Sequence, residues 1–412
     1  MMKRAMMGMV GLAFFFLAGL ALGQGQEQEL QKKCDGGDLA ACFELGNCYL
    51  GGGCDFKANP ELAGPLLKKA CDGGNLSGCV NLGWCLEKGI CGLKKDPAAA
   101  GKLFKMACEG GEMLGCKDLG YCYVVGECGF KKDPVMAGKL YKKACEGGEM
   151  MGCTDLGYYC YEKGECGFKK DPVMAGKLFK KACEGGEMMA CTNLGWLCYE
   201  KGECGWTRDY EKAGQLYKLA CEGGDIRGCV NLGYLCYAKG KCGFARDPVM
   251  AGKLFKEACD GGDMRGCVSL GWLCYDEGEC GFDRDPVYAG KLFKLACDAG
   301  DMLGCVDLGW LCYKEGECGF DKNPVLAGKI FKNACAAGEM LGCYNLGVCL
   351  ENGECGFKKD PERAKQLYQM ACQGGREEAC EALQGAEEQD KGNQGDQGDQ
   401  EDKGDQGDEG ED

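Results

Sequence analysis

Residues 149–186 read EMMGCTDLGYYCYEKGECGFKKDPVMAGKLFKKACEGG, and two helices fall out of this stretch. From Glu149 to about Lys163, the residues Met150, Cys153, Leu156 and Tyr161 recur at three- and four-residue steps. That is the spacing of one buried helical face, and Gly164 ends the run. Asp171-Pro172 announces a second helix, with an N-cap followed by proline at the first helical position, where its missing N–H costs nothing. Ala175, Leu178, Phe179 and Ala182 share one face of it, and Gly185-Gly186 permits the left-handed turn that stops it. Gly164-Glu165-Cys166-Gly167-Phe168 is a tight loop between the two.

The same stretch recurs every 37 or 38 residues. Nine complete helix pairs begin near Asp38, Asn75, Glu112, Glu149, Glu187, Asp225, Asp263, Asp301 and Glu339. A half-unit (26–37) precedes them and another (376–384) follows, both polar, as expected of the ends of a repeat stack. The predicted fold is all-α: a right-handed alpha-alpha superhelix, or solenoid, of about nine disulfide-stapled helix pairs with polar capping helices. Repeats four to eight carry one extra residue, always between their second and third cysteines. This predicts a lengthened first helix in those five.

Cysteine follows the same lattice, 38 residues from Cys34 to Cys380. Grouping by C-x7-C gives Cys34 with Cys42, Cys71 with Cys79, Cys108 with Cys116, Cys145 with Cys153 and Cys183 with Cys191. It continues with Cys221 and Cys229, Cys259 and Cys267, Cys297 and Cys305, Cys335 and Cys343, and Cys372 and Cys380. The C-x5-C pairs are Cys48 with Cys54, Cys85 with Cys91, Cys122 with Cys128, Cys160 with Cys166 and Cys198 with Cys204. Cys236 with Cys242, Cys274 with Cys280, Cys312 with Cys318 and Cys349 with Cys355 complete that set. Nothing is left over. The opposite register strands Cys34 and Cys380 and asks cysteines on one helix to meet beyond disulfide reach. Sequence alone does not fix connectivity, but nineteen local staples is the expected arrangement.

The ends of the chain read differently. Met1 to Gly23 has a basic start, an apolar run from Met9 to Leu22 and small residues at Ala21 and Gly23, which is the pattern of a signal peptide. An uncleaved anchor is the alternative, since Ala5 to Leu22 is long enough to span. Residues 24–385 form the repeat region. From Ala386 to Asp412 the chain has twelve acidic residues against Lys391 and Lys403, and no aromatic or aliphatic side chain after Ala386. Such a tail buries too little surface to fold. It holds −10 of the net charge of −15 and argues against nucleic acid as a partner. Disulfides at this density imply an oxidising compartment, so the expected location is secreted or periplasmic. With no histidine and no C-x-x-C, the spacings of zinc, haem and thioredoxin-like sites are missing, and neither metal nor cofactor is expected.

Ala-Gly-Lys-Leu-Phe-Lys-Lys-Ala-Cys-Glu-Gly-Gly (175–186), followed by Cys-Thr-Asn-Leu-Gly-Trp-Leu-Cys-Tyr (191–199), resembles the Sel-one-like repeat, a cousin of the tetratricopeptide repeat. The C-x7-C spacing across successive units is similar to that of the Helicobacter cysteine-rich protein family, secreted solenoids of disulfide-bridged helix pairs. The likeness covers residues 26 to 384; the second pair, C-x5-C, and the slightly longer unit depart from it. The resemblance implies binding of penicillins and weak hydrolysis of β-lactams, which the residues support poorly. Neither Ser77 nor Ser269 begins an S-x-x-K motif, and no histidine is present to activate a nucleophile. A scaffold is therefore preferred over a β-lactamase-type hydrolase.

Two ladders are candidates for binding. The residue before Leu-Gly in the first helices is usually short and polar: Asn81, Asp118, Asp155, Asn193, Asn231, Ser269, Asp307 and Asn345, with Glu44 in the first repeat. The residue after that glycine is mostly aromatic: Trp84, Tyr121, Tyr158, Trp196, Tyr234, Trp272 and Trp310. On a concave face these would suit a protein, an extended peptide or a peptidoglycan fragment. The alternative is that the rings pack between helices and the polar groups bond the neighbouring repeat. The lysines of Lys-Lys-Asp-Pro and Ala-Gly-Lys-Leu read as a solvated outer face.

Overall fold

The computed structural model describes residues 25–51, 53–167, 169–200, 208–237, 246–276, 284–314 and 322–385. The expected signal peptide and acidic tail lie outside these residues. Every regular element among them is helical. The helices number α1 (25–35) to α20 (377–385) in chain order. First helices of the repeats are α2 (Leu39–Tyr49), α4 (Leu76–Lys88), α6 (Met113–Val125), α8 (Met150–Asp155), α10 (Met188–Glu200), α12 (Ile226–Tyr237), α14 (Met264–Asp276), α16 (Met302–Lys314) and α18 (Met340–Asn352). Second helices are α3 (Pro60–Asp72), α5 (Pro97–Glu109), α7 (Pro134–Glu146), α9 (Pro172–Glu184), α11 (Tyr210–Glu222), α13 (Pro248–Asp260), α15 (Pro286–Asp298), α17 (Pro324–Ala336) and α19 (Pro361–Gln373).

The chain forms two compact units, Met1–Leu216 and Tyr217–Asp412. Within each, every helix packs on the next, from α2 to α10 and again from α12 to α19. First helices of adjacent repeats also touch: α2 with α4, α4 with α6, α6 with α8, α14 with α16 and α16 with α18. The fold is a solenoid of helical repeats.

Second helices start as their residues dictate. Asp96, Asp133, Asp171, Asp247, Asp285 and Asp360 each accept a backbone N–H from the first turn, with proline in that turn. Seven of the nine also bury one ring at or below 2 % exposure, Phe104, Tyr141, Phe179, Phe255, Phe293, Phe331 and Tyr368, while α3 buries Leu67 in its place. These rings lie against the glycine of Leu-Gly in the first helix. A Cβ on Gly120 would fall 2.8 Å from Tyr141 Cε1, and one on Gly271 2.6 Å from Phe293 Cε1. Glycine here is a packing device, and its cost in helix propensity, about 1 kcal/mol, is offset by the buried ring.

Fifteen disulfides join described cysteines. All ten C-x7-C pairs tie the end of a second helix to the start of the next first helix, with Cα–Cα distances of 4.4–4.8 Å. Five C-x5-C pairs, Cys48–Cys54, Cys85–Cys91, Cys122–Cys128, Cys160–Cys166 and Cys349–Cys355, pin the loop onto the first helix. The expected partners of Cys198, Cys236, Cys274 and Cys312 lie outside the described residues. Cys91, Cys128 and Cys355 have φ of 62°, 57° and 57°. That left-handed conformation is costly for a residue with a side chain, and the cross-link holds it.

The extra residue of the long repeats is accommodated in two ways; the expected lengthening of the first helix in repeats five to eight falls on residues outside the described ones. In the short repeats the residue two beyond the helix glycine is a buried cysteine: Cys48, Cys85, Cys122 or Cys349. In repeats five to eight a leucine takes that slot (Leu197, Leu235, Leu273, Leu311, all within 4 % exposure), and the helix stays α. The third cysteine then moves one residue on, and its carbonyl accepts the N–H of the next N-cap, as from Asp209 to Cys198 at 3.0 Å. In repeat four the slot residue is Tyr159, which is too large for it. Leu156–Glu162 there winds as a π-helix, so that Cys160 returns to the buried position and Tyr159 stays half-buried. Tyr161, expected to face inward, is half-buried as well.

Candidate functional site

The glycine–ring contact fixes which way each first helix faces. With Leu-Gly turned toward the second helix, the polar residue before the leucine and the ring after the glycine stand three residues apart on a neighbouring face. Trp84, Tyr121, Tyr158 and Trp196 stand 37–43 % exposed in the first unit, and Tyr234 is 51 % exposed in the second. Asn81, Asp118, Asp155, Asn193, Asn231 and Asn345 are half-buried beside the leucines.

Some ladder members bond the neighbouring repeat. Asn81 Nδ2 donates to Asn47 Oδ1 at 3.4 Å, and the Tyr234 and Ser269 hydroxyls share a hydrogen bond of 2.6 Å. Trp272 Nε1 donates to Asp307 Oδ2 at 2.9 Å, and Asp307 is only 3 % exposed. Trp272 and Trp310 are half-buried, with ring centroids 5.4 Å apart. In this part of the second unit the ladders are stitched to each other. Ser77 Oγ donates to Glu112 at 2.7 Å, so both serines are engaged between repeats. The one grouping of potential metal ligands among the described residues is Cys221, Cys229 and Glu257, and its two sulfurs are joined to each other.

Burial pushes the Asp307 carboxyl up to about 7, against the opposing indole hydrogen bond from Trp272; Asp301 and Glu339 add to the rise. A folded-state value above the ordinary carboxylate value means the folded protein holds the proton more tightly than the unfolded chain. Stability therefore falls as pH rises from about 4 to about 7 and levels off above that. Asn occupies the equivalent position in repeats two, five, six and nine, and an amide oxygen accepts the indole N–H without charge. Asp307→Asn is expected to stabilise the protein at pH 8 by about 2–4 kcal/mol and leave it unchanged at pH 4. Thermal melts at both pH values check this; an equal shift at both would contradict it.

The first unit gathers charge differently. Lys117 Nζ lies 2.6 Å from Asp118, both side chains 20 % exposed. Burial raises the Asp118 carboxyl in spite of Lys117. Burial also raises Asp155 to about 6, with Lys117 opposing and Asp118, Glu187 and Glu149 adding to it. Beneath them Tyr141 is fully buried, and its hydroxyl has no hydrogen-bond partner. Sequence reasoning missed Lys117 and the Tyr141 hydroxyl; the only signal was tyrosine where most repeats place phenylalanine.

Comparison with known proteins places this geometry. The Sel1 repeat family matches nine segments: residues 39–75, 76–112, 114–149, 151–187, 189–225, 226–263, 265–301, 303–339 and 341–375. Among solved structures, the chain is similar to c5321, described as a protective antigen of uropathogenic Escherichia coli strains with an SLR fold. The two are 26 % identical over 89 % of this chain and 78 % of that one, with a TM-score of 0.53. A Sel1 repeat protein from Oxalobacter formigenes is 27 % identical over 63 % of this chain and 99 % of its own, TM-score 0.54. Cysteine rich protein B of Helicobacter pylori is 36 % identical over 33 % of this chain and 93 % of its own, TM-score 0.27. No curated protein matches the chain. Nine consecutive matches spanning the helical region show that this chain belongs to the Sel1 repeat family.

Proposed function

We propose that the protein is an exported, disulfide-stapled scaffold that binds an extended protein or peptide segment along its first helices. One observation carries the reading: Trp84, Tyr121, Tyr158 and Trp196 stand exposed at the same position of four successive first helices, each with a half-buried Asn or Asp three residues before it. Exposed rings supply contact area at low entropic cost, and amide or carboxylate groups one turn away accept and donate along a peptide backbone. Export is supported by the fifteen described disulfides, which persist in oxidising compartments. Among the described residues no helix is long and apolar enough to cross a membrane. Hydrolysis gains no support from the geometry, since Ser77 and Ser269 are held by Glu112 and Tyr234.

The test is capture of partners from the envelope and medium of the producing cell. Wild-type protein is compared with a Trp84→Ala, Tyr121→Ala, Trp196→Ala variant. At about 1–2 kcal/mol per ring, the triple variant loses at least a hundredfold in affinity while its helical signal and melting temperature hold. Equal capture by both proteins would overturn the reading.

A further inference from the structure

The binding face is not chemically uniform, and its departure lies on the first helices of repeats three and four. Asp118 and Tyr121 on α6, with Asp155 at the end of α8 and Tyr158 in the π-helical turn, occupy matching positions on helices that touch. Among the described residues Lys117 is the cation that acts on both carboxylates, while Glu149 adds negative potential at both and Glu187 at Asp155. Two half-buried carboxylates sharing one ammonium leave the cluster one positive charge short. The Tyr141 hydroxyl is an independent sign of an incomplete site. It is wholly buried and lacks a partner, and after burial itself the largest influence on it is Asp155, followed by the Tyr159 and Tyr121 side chains and Asp118. The Tyr158 ring can take a cation on its face, since the chain's own Lys163 Nζ sits 5.4 Å from its centre.

Resting on the peptide-binding reading above, we propose that Asp118 and Asp155, between the Tyr121 and Tyr158 rings, form a subsite for a cationic side chain, the ammonium of lysine or the guanidinium of arginine, on the bound peptide. The incoming charge pairs with both carboxylates, and the rings cover its alkyl stem. Elsewhere adjacent repeats do not pair two half-buried carboxylates: the equivalent residue is an exposed Glu44 in repeat one and Ser269 in repeat seven. Repeats two, five, six and nine have a neutral asparagine, and Asp307 is buried against Trp272. The chain thus sets the register of its ligand by one charge near the middle of the exposed row in the first unit.

The experiment uses the full oxidised protein and two peptides, Ac-Gly-Ser-Lys-Lys-Ser-Gly-NH2 and the same peptide acetylated on both lysines. Binding is followed by calorimetry and by tryptophan fluorescence of Trp84 and Trp196. The expected result is at least tenfold tighter binding of the unmodified peptide. Asp118→Asn with Asp155→Asn abolishes that preference, while Asp307→Asn keeps it. Tyr141→Phe, a residue other repeats already tolerate, weakens the unmodified peptide about threefold or more without lowering the melting temperature. If both peptides bind alike to wild type, or the double variant keeps the preference, the cationic subsite is overturned and the peptide-binding face stands. If neither peptide perturbs the tryptophans at any concentration while the ring-substituted triple variant captures partners as well as wild type, both readings fall together.

Discussion

Reduction of the disulfides in otherwise native buffer unfolds the protein, read as loss of most of its helical circular dichroism at 25 °C. Each staple closes a loop of fewer than ten residues, which in the chain-entropy account is worth about 2–3 kcal/mol. Fifteen such loops far exceed the roughly 5–15 kcal/mol by which a domain is usually stable. Nothing else in the repeat replaces them. The chain has 73 glycines, and the core of each unit is one ring, a few alanines and leucines, and the half-cystines themselves. Removing one staple, as in Cys145→Ser with Cys153→Ser, costs about 2–3 kcal/mol. A reduced protein, verified by alkylation and mass, that still melted cooperatively at the native temperature would refute this account.

The second large effect comes from a glycine that ordinary helix propensity would replace. Gly101 lies within α5, and Gly→Ala inside a helix normally gains up to about 1 kcal/mol. Here a Cβ would fall 2.2 Å from the carbonyl oxygen of Cys128 and 2.8 Å from Phe130 Cε2. The loop cannot retreat, because Cys128 is bonded to Cys122 and already has φ of 57°. Gly101→Ala is expected to destabilise by about 3 kcal/mol, seen as a lower denaturation midpoint. Lys102→Ala, on the exposed face beside it, stays within about 0.5 kcal/mol of wild type. Gly64 and Gly328 face the carbonyls of Cys91 and Cys355 at 2.3 and 2.5 Å, so the same substitution is expected to cost as much there.

These two effects share one design. Glycine lets ring and carbonyl approach the helix backbone, and the disulfides hold the approach in place. Small residues shrink the apolar area that each pair buries, and covalent links compensate. A stack so constrained presents its first-helix side chains in a fixed order, which suits reading an extended ligand and offers little for catalysis.

The period, the helix pairs and the Asp-Pro starts were legible in the sequence because local rules govern them. A gap of seven between cysteines spans the glycine turn between repeats whatever the neighbours do, and ten of the fifteen disulfides follow that spacing, the other five following the gap of five within a repeat. The ladders were legible as positions, since three residues separate Asp118 from Tyr121 as they separate Asp307 from Trp310. Their roles were not. Whether an aspartate lies buried under an indole, as Asp307 does under Trp272, depends on the side chain one repeat away, some 35 residues along the chain. The π-helical turn was equally hidden, because Tyr159 and Leu197 occupy the same sequence slot and differ only in the volume the facing ring leaves them. Sequence by itself determined the repeating unit and its cross-linking pattern, through local geometry. Only the tertiary structure decided which charges are satisfied inside the stack and which are left for a partner, because that balance is struck between side chains of adjacent repeats.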